Sequence, residues 1–171
     1  MAIPQLDYIL QSFTINVDGF GMLGSGEKCK LPKIKKKTEK YRGGGMLAPR
    51  QHVLGFEEFE FECDLSAVFP NVIAQSAFLT AKGISFSVRA FLDGDQNATH
   101  SLYLYMRGEV IENDFGEWEA GKKSMMKVKV TLDALNLTID GVEIFDIDLE
   151  NGVNTWNGTD VAALVTAAIG T

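Results

Sequence analysis

Alternation of apolar and polar residues is the dominant pattern along this chain. Phe59, Phe61 and Cys63 alternate with three glutamates, and the stretches from Gly83 to Asp93 and from Leu102 to Arg107 repeat the same two-residue period. Successive side chains of a strand point to opposite faces of a sheet. The period therefore predicts strands that turn one face to an apolar core and the other away from it.

Further strands follow from the same pattern at both ends of the chain. A first strand is predicted from Asp7 to Val17, closed by Asp18-Gly19, and alternation returns from Val128 to Ile139. Asp140-Gly141 then separates that run from a return strand that contains Phe145, Ile147 and Leu149. An Asp-Gly pair between alternating runs predicts a tight hairpin.

Helices and loops fill the remaining chain. Asp64–Phe69 is compatible with a short helix that Pro70 would end, and Thr159 or Asp160 could cap an Ala-rich helix reaching about Ile169. The segment 113–121 is predicted to be a polar loop anchored by Trp118. Residues 1–171 are thus expected to form one mainly β domain, a β-barrel or sandwich of packed antiparallel sheets with one or two short helices.

One segment departs from the period-two pattern. Residues 33–46 combine five lysines with an aromatic residue, an arginine and three consecutive glycines. Such a stretch is expected to be a long basic loop, mobile unless a partner holds it. We predict that it contacts other copies of the chain, through residues that are basic, aromatic, flexible or apolar: Lys33, Lys36, Lys37, Tyr41, Arg42, Gly43, Gly44, Gly45 and Met46.

Charge is distributed unevenly along the 171 residues. Residues 1–50 hold nine Lys/Arg and four Asp/Glu, a balance of +5, whereas residues 51–171 hold seven and nineteen, a balance of −12. A mainly acidic body disfavours nonspecific DNA binding over the whole surface. The same distribution suits self-association, in which the basic segment meets an acidic face of a neighbouring copy.

Several short motifs resemble dinucleotide-, phosphate- or metal-binding sites, but the residues around them do not support such sites. Gly19–Gly24 spells G-x-G-x-x-G, but the glycine and proline that follow allow no helix to face a dinucleotide. Gly43–Gly45 lacks the Lys-Ser/Thr of a phosphate loop, and His52 and His100 stand without metal-ligand spacing. We therefore expect no catalytic residues, no cofactor, no metal and no membrane anchor.

Cysteine usage gives a further expectation. Cys29 and Cys63 are the only two cysteines, which is too few for a disulfide framework in a chain of this size. Reduced thiols in a cytosol are the expectation.

Three segments carry a resemblance to a known family. The basic segment contains, in order, Leu31-Pro32-Lys33, Lys37-Thr38-Glu39, Tyr41-Arg42, Gly44-Gly45-Met46 and Ala48-Pro49. The second match is Gly116–Lys122. The third is Asp140-Gly141-Val142-Glu143, followed by Asp146-Ile147-Asp148 and Asn151-Gly152-Val153. Together they resemble the major tail tube proteins of contractile-tailed bacteriophages and of R-type pyocins.

This resemblance implies a function and a set of partners. It implies a β-barrel-like protomer that forms homohexameric rings, stacked into a hollow tube inside a contractile sheath and joined to baseplate and terminator proteins. DNA would pass through the tube as cargo, or the tube would puncture an envelope in a pyocin-like particle. The protein would be part of a virion tail assembled in the host bacterial cytoplasm, with residues 33–46 reaching the adjoining ring. Arg42 and the lysines would form ion pairs with carboxylates of a neighbouring copy, and Tyr41 and Met46 would make apolar contacts with it.

An alternative function remains open from the residues alone. The basic run Lys33–Lys37 in a β-rich chain is also compatible with an OB-like barrel that binds single-stranded nucleic acid, with Tyr103 and Tyr105 as stacking platforms.

Overall fold

Antiparallel β-structure dominates this protein, for which a computed structural model describes residues 8–17, 20–21, 25–75, 83–94, 98–163 and 167. One short helix interrupts the strands between β6 and β7. The elements in chain order are β1 (Tyr8–Val17), β2 (Phe20–Gly21), β3 (Gly26–Lys30), β4 (Lys36–Tyr41), β5 (Arg50–Phe56), β6 (Phe59–Leu65), α1 (Pro70–Gln75), β7 (Ile84–Gly94), β8 (Thr99–Asp114), β9 (Met126–Ile139), β10 (Val142–Asp148), β11 (Val153–Trp156) and β12 (Thr159–Asp160).

The long strand β9 organises the main sheet. One of its edges pairs with β8, which leads through β7 to β1 and β2. Its other edge is shared, because β6 pairs with the first half of β9 and β10 pairs with the second half. β3 extends the sheet beyond β6, and β11 and β12 extend it beyond β10. β4 and β5 form a separate two-stranded sheet.

The core lies between the β6 branch and the β1–β7–β8 part of the sheet. Phe61 of β6 contacts Phe86 of β7 across it, with ring centroids 6.2 Å apart. α1 closes one end with the buried Val72. Burial of these apolar side chains is the main stabilising term of such a fold. The side chains with almost no exposed surface are Ile15, Phe59, Phe61, Met106, Met126, Val130, Leu132, Leu135 and Ile147.

Two irregularities in the β8–β9 ladder change its course. The pairing steps from Arg107↔Ala134 to Gly108↔Leu132, so that Asp133 is an extra residue, and a second shift leaves Ile111 without an opposite partner. Such bulges bend the bulged strand and increase its twist. The Asp133 bulge lies where β9 passes from its pairing with β6 to its pairing with β10, which allows one strand to serve both branches.

The strand expectations are confirmed for most of the chain. β1, β7, β8, β9 and β10 occupy the alternating runs, and in β6 the two phenylalanines and Cys63 are buried. At the hairpin of β9 and β10, Asp140 and Gly141 both have positive φ, 50° and 78°. Positive φ at both central residues is typical of the tight turn that such a pair favours. Within the described residues the sheet does not close into a barrel, and the packing is sandwich-like.

The predicted helix at 64–69 is wrong. Asp64 and Leu65 continue β6 opposite Lys127 and Met126, and the helix begins at Pro70 instead of ending there. Proline fits the first helical turn because its missing N–H has no partner there in any case. Pro70 therefore marks the start of a helix and not its end.

The expectation of a long basic loop is also corrected. Six of the fourteen residues 33–46 form the strand β4, which pairs with β5 as a hairpin, and residues 42–46 belong to the turn that joins the two strands. The polar segment after β8 begins at Phe115, since β8 runs to Asp114, and Trp118 is mostly exposed, so it anchors nothing in the core.

The expectations at the two chain ends are only partly covered by the described residues. The turn at 18–19 and most of the C-terminal helix up to Ile169 lie outside them. Asp160 accepts hydrogen bonds from the backbone N–H groups of Ala162 and Ala163 at 2.8 and 3.1 Å, which is N-cap geometry. Among the described residues, none of the helices has the length and apolar character needed to cross a membrane.

Candidate assembly surface

The β4–β5 hairpin, residues 36–56, is a projecting arm. Its register runs from Lys36↔Phe56 at the base to Tyr41↔Arg50 near the tip. Every residue of β4 and all of β5 except Phe56 are exposed. Within the described part of the chain, the two strands are hydrogen-bonded as a sheet only to each other. A two-stranded hairpin with no further packing is marginally stable in water, so the exposed arm would gain stability from a surface that covers it.

The arm is fixed at its base. Glu57 N–H donates to the carbonyl of Lys35 at 2.8 Å, and the side chains of the same two residues form an ion pair at 2.8 Å. Ile34 and Phe56 pack against the core, and the Phe56 ring lies 5.6 Å from that of Phe59. The arm therefore has an anchored base and a free distal end.

The tip is a compact turn between β4 and β5. Met46 N–H donates to the carbonyl of Gly43 at 3.3 Å, and the Met46 sulfur accepts from Gly43 N–H at 3.2 Å. Arg42 Nε donates to the Met46 carbonyl at 3.4 Å. Gly45 has φ 84°, a conformation that favours glycine. The methionine is thus folded into the turn.

All nine residues predicted to contact other copies lie on the arm or just before its base. Seven are exposed, and Gly43 and Met46 are half-buried inside the tip turn. Residues 33–50 carry seven Lys/Arg and one Glu, so this surface is strongly basic. The arrangement is that of a charged surface presented away from the body.

Sequence reasoning missed the apolar part of the arm. Leu47 at the tip is fully exposed, and Val53 and Leu54 on β5 are each 59% exposed. The adjacent Val-Leu pair after the glycines is the signal that could have found it. Large apolar side chains grouped on one projecting element are typical of an interaction surface.

The outer face of β6 is covered by ion pairs. Glu60 contacts Lys129 Nζ at 2.7 Å, and Glu62 contacts Lys30 Nζ at 2.9 Å. The hydrogen bond from Lys30 lowers the pKa of Glu62, and the hydrogen bond to Glu60 raises the pKa of Lys129. Lys30, Glu62 and Lys129 line an open groove of about 510 Å³ that carries both signs of charge. Such a face is hydrophilic without being a concentrated anion- or cation-binding site.

The β7–β8 face is polar and mostly neutral. Ser85 Oγ and Tyr105 Oη are 3.1 Å apart, and the Arg89 guanidinium lies 5.2 Å from the centre of the Tyr103 ring. The two tyrosines that could have served as stacking platforms therefore already have partners within the sheet. A base would have to displace Arg89 to stack on Tyr103.

A charged cluster surrounds the Asp133 bulge. Arg107 contacts Asp148 at 3.2 Å and Glu150 at 3.1 Å. Burial raises the pKa of Asp148, but hydrogen bonds from Asn151 and the charge of Arg107 outweigh it, and the pKa is lowered. Burial and the charge of Glu150 raise the pKa of Asp133. The cluster joins β8, β9 and the β10–β11 turn, which is a structural role.

Among the described residues, no group of three or more His, Cys, Asp or Glu could hold a metal ion. The predicted contact residues are brought together on one element, while His52 on β5 and His100 on β8 remain on separate elements. The geometry favours surface recognition.

Comparison with known sequences identifies relatives over almost the whole chain. A family model described as phage tail tube protein FII matches residues 7–170. The tail tube protein of Escherichia phage P2 is 27% identical over 164 residues, covering 94% of both chains. The major tail tube protein of Serratia phage KSP20 is 30% identical over 163 residues, covering 94% of this chain and 92% of that one.

Solved structures with a similar fold come from contractile injection systems. One is a chain of the PVC sheath–tube complex in the extended state, with TM-score 0.56, 9% identity, and coverage of 74% of this chain and 87% of that chain. Another is from the PVC sheath/tube terminator, with TM-score 0.57, 11% identity, and coverage of 81% and 97%. A third is from the baseplate of the anti-feeding prophage, with TM-score 0.51, 11% identity, and coverage of 81% and 97%. At these identities the likeness concerns the fold.

Proposed function

This chain belongs to the family of phage tail tube proteins FII, structural proteins of the virion tail and not enzymes, and we propose that its copies stack as hexameric rings into the inner tube of a contractile tail. The tube conducts phage DNA into the host cell, or punctures the envelope in a pyocin-like particle. The arm joins one ring to the next.

The observation that carries this proposal is the arm. It presents exposed apolar side chains and a basic surface, with its two strands paired only to each other in the described protomer. The remainder of the chain after residue 50 has a balance of −12. A basic arm and an acidic body in one chain are complementary when copies associate head to tail.

Ring closure has a second structural requirement, which is a pair of compatible lateral surfaces. β1 pairs with β2 only at Asn16 and Val17, so among the described residues its outer edge from Tyr8 to Ile15 is without a strand partner. Ile9 and Leu10 on this edge are exposed. Unpaired edges with apolar side chains favour pairing with another copy, and closure into a ring covers them.

The similar structures support a proposal about partners beyond the tube. These come from a sheath–tube complex, a sheath/tube terminator and a six-fold symmetrised baseplate. By analogy, this protein contacts sheath, terminator and baseplate proteins, and its rings have six copies. The acidic body suits a passage for DNA, since it repels phosphates.

The test is a shortened arm. Replacing residues 37–55 by Asn-Gly closes a tight hairpin between Lys36 and Phe56, which are already paired, and keeps the Lys35–Glu57 base. We expect the wild-type protein to form tubes at high concentration, and the shortened protein to keep its circular dichroism spectrum and melting temperature but to stop at rings. Sedimentation velocity and electron microscopy distinguish these species.

A matched pair of point variants separates the arm's contacts from its length. Leu47→Glu places a charge at the exposed tip, and Leu149→Glu makes the same change at an exposed leucine in the β10–β11 turn. Tubes should be lost with the first variant and retained with the second. Normal tubes from the shortened protein would show that another surface joins the rings, and a wild-type protein that stays monomeric at every concentration would contradict the tube itself.

A further inference from the structure

Two cysteines far apart in sequence meet on β3 and β6, the strands that precede and follow the arm. Cys29 on β3 is directly opposite Cys63 on β6 in the antiparallel ladder. Their sulfur atoms are 2.9 Å apart, although 34 residues separate them along the chain. Both thiols are free in the structure; Cys63 is buried and Cys29 is half-buried.

This separation suits a bond between the sulfurs better than a shared metal. Tetrahedral zinc holds two thiolates about 2.3 Å from the metal, which places them about 3.8 Å from each other. The observed 2.9 Å is too short for that arrangement and exceeds the S–S bond of about 2.0 Å by about 0.9 Å. Opposed residues on neighbouring strands already have close Cβ atoms, so a small movement of the edge strand β3 closes the gap.

We propose that Cys29 and Cys63 form an intramolecular disulfide once the protein leaves the reducing cytoplasm, and that this bond fastens β3 to β6, the strands that precede and follow the arm. A low-molecular-weight disulfide such as oxidised glutathione is the oxidant. The thiolate of Cys29 attacks it and releases one glutathione thiolate. The deprotonated sulfur of Cys63 then attacks the Cys29 sulfur of the mixed disulfide and releases the second. The protein loses two protons and two electrons, and one glutathione disulfide becomes two glutathione thiols.

The order of these steps follows from the environment of each sulfur. The contact with Cys29 and burial raise the pKa of the Cys63 thiol, and its side chain is only 4% exposed. Cys29 is the more accessible sulfur and therefore reacts first with an external oxidant. Cys63 is already beside it and resolves the mixed disulfide.

The position of the bond gives it a mechanical consequence. β3 leads into the arm and β6 follows it, so the 29–63 loop contains the entire arm. In the described protomer β3 pairs along its length with β6 alone. A bond here prevents β3 from separating from β6 under load while leaving the arm itself free to contact a neighbour. The chemistry depends on the fold alone and not on the proposed stacking.

The experiment compares reduced and oxidised protomers at a dilution where no rings form. The protein is reduced, freed of reductant, incubated with oxidised glutathione and then denatured for thiol titration. We expect the titre to fall from two thiols per chain to none, and peptide mapping without reductant to give one cross-linked peptide containing Cys29 and Cys63. The melting temperature should rise by roughly 5–15 °C, because closing a loop of this length restricts the unfolded chain.

Cys29→Ser and Cys63→Ala are the matched controls, and neither should gain stability on oxidation. Cys29→Ser changes the half-buried member of the pair and should fold normally. It therefore serves as a control even if the substitution of the buried Cys63 reduces stability. Two free thiols after oxidation, a persistent glutathione adduct on Cys29, or disulfides only between chains would each overturn the proposal. Tube formation is scored separately by electron microscopy, so failure of the disulfide and failure of the tube are distinguishable.

Discussion

At the scale of the residue, the tightest constraint lies at Gly108, beside the Asp133 bulge. A Cβ atom there would lie 2.0 Å from the carbonyl oxygen of Thr131 and 2.9 Å from Cα of Leu132. Both are backbone atoms of the neighbouring strand, which no side-chain rotation can move. The close approach of β8 and β9 at this point therefore requires glycine.

We predict that Gly108→Ala destabilises the protein by about 3 kcal/mol, because the ladder must separate to admit the methyl group. That corresponds to a fall in melting temperature of roughly 6–12 °C. Gly44→Ala at the arm tip is the matched control, since its Cβ would meet nothing within 4 Å and should change stability by less than about 0.5 kcal/mol. Thermal unfolding of both variants is the measurement, and equal melting temperatures would contradict the constraint at Gly108.

At the scale of the element, the sequence predicts strands with one buried face and misses strands with none. β6 alternates buried and half-buried residues throughout, and its period is visible in the letters. β4 reads KKTEKY and is exposed at every position, so no alternation marks it. The three glycines that follow it favour a loop. The arm becomes visible only through its pairing with β5, which is a non-local contact.

Other features of the fold cannot be predicted from the sequence pattern, for different physical reasons. The helix α1 is displaced from its predicted position because Pro70 can end one helix or begin the next, and the pattern does not distinguish these cases. The Asp133 bulge depends on strand register, and the Cys29–Cys63 contact depends on which strands pair. By contrast, the Asp140-Gly141 turn is a local backbone preference, and the sequence is sufficient to predict it.

The bulge also gives a prediction about pH. The pKa of Asp133 is raised, so its carboxylate is less stable in the folded protein than in the unfolded chain, and this cost appears as the pH rises above the unfolded pKa of about 4. Asp133→Asn should therefore raise the melting temperature at pH 7 and leave it unchanged near pH 3. The gain should stay below about 1 kcal/mol, because the carboxylate is partly hydrated.

Asp148→Asn is the matched variant with the opposite expected sign. The pKa of Asp148 is lowered, so its carboxylate contributes stability above the unfolded pKa, and this contribution is lost as the pH falls through the folded pKa. The substitution should lower the melting temperature at pH 7 and have little effect at low pH. Melting curves across this pH range test both variants, and the same sign for the two at pH 7 would contradict the assignment.

At the scale of the whole molecule, one chain carries two surfaces of opposite character. The arm is basic and exposed, whereas much of the body's charge is acidic or already paired, as on the face of β6. In a free protomer the arm is open to any polyanion. In the proposed tube it is covered by a neighbouring ring, and the passing DNA meets the body only. Assembly should therefore remove the protein's capacity to bind DNA.

This gives a final prediction, in which salt and assembly state are varied together. Free protomers should bind labelled DNA weakly at about 50 mM salt through the arm and release it at about 200 mM, because the release of counterions from DNA drives such binding and is less favourable at higher salt. Assembled tubes, and protomers with the shortened arm, should show no binding at either concentration. Fluorescence anisotropy measures all three. Micromolar binding of DNA by tubes at the higher salt would mean that an outer or lumenal surface of the tube binds the DNA phosphates. A conduit must release its cargo, so that result would contradict DNA conduction and restore the nucleic-acid-binding alternative.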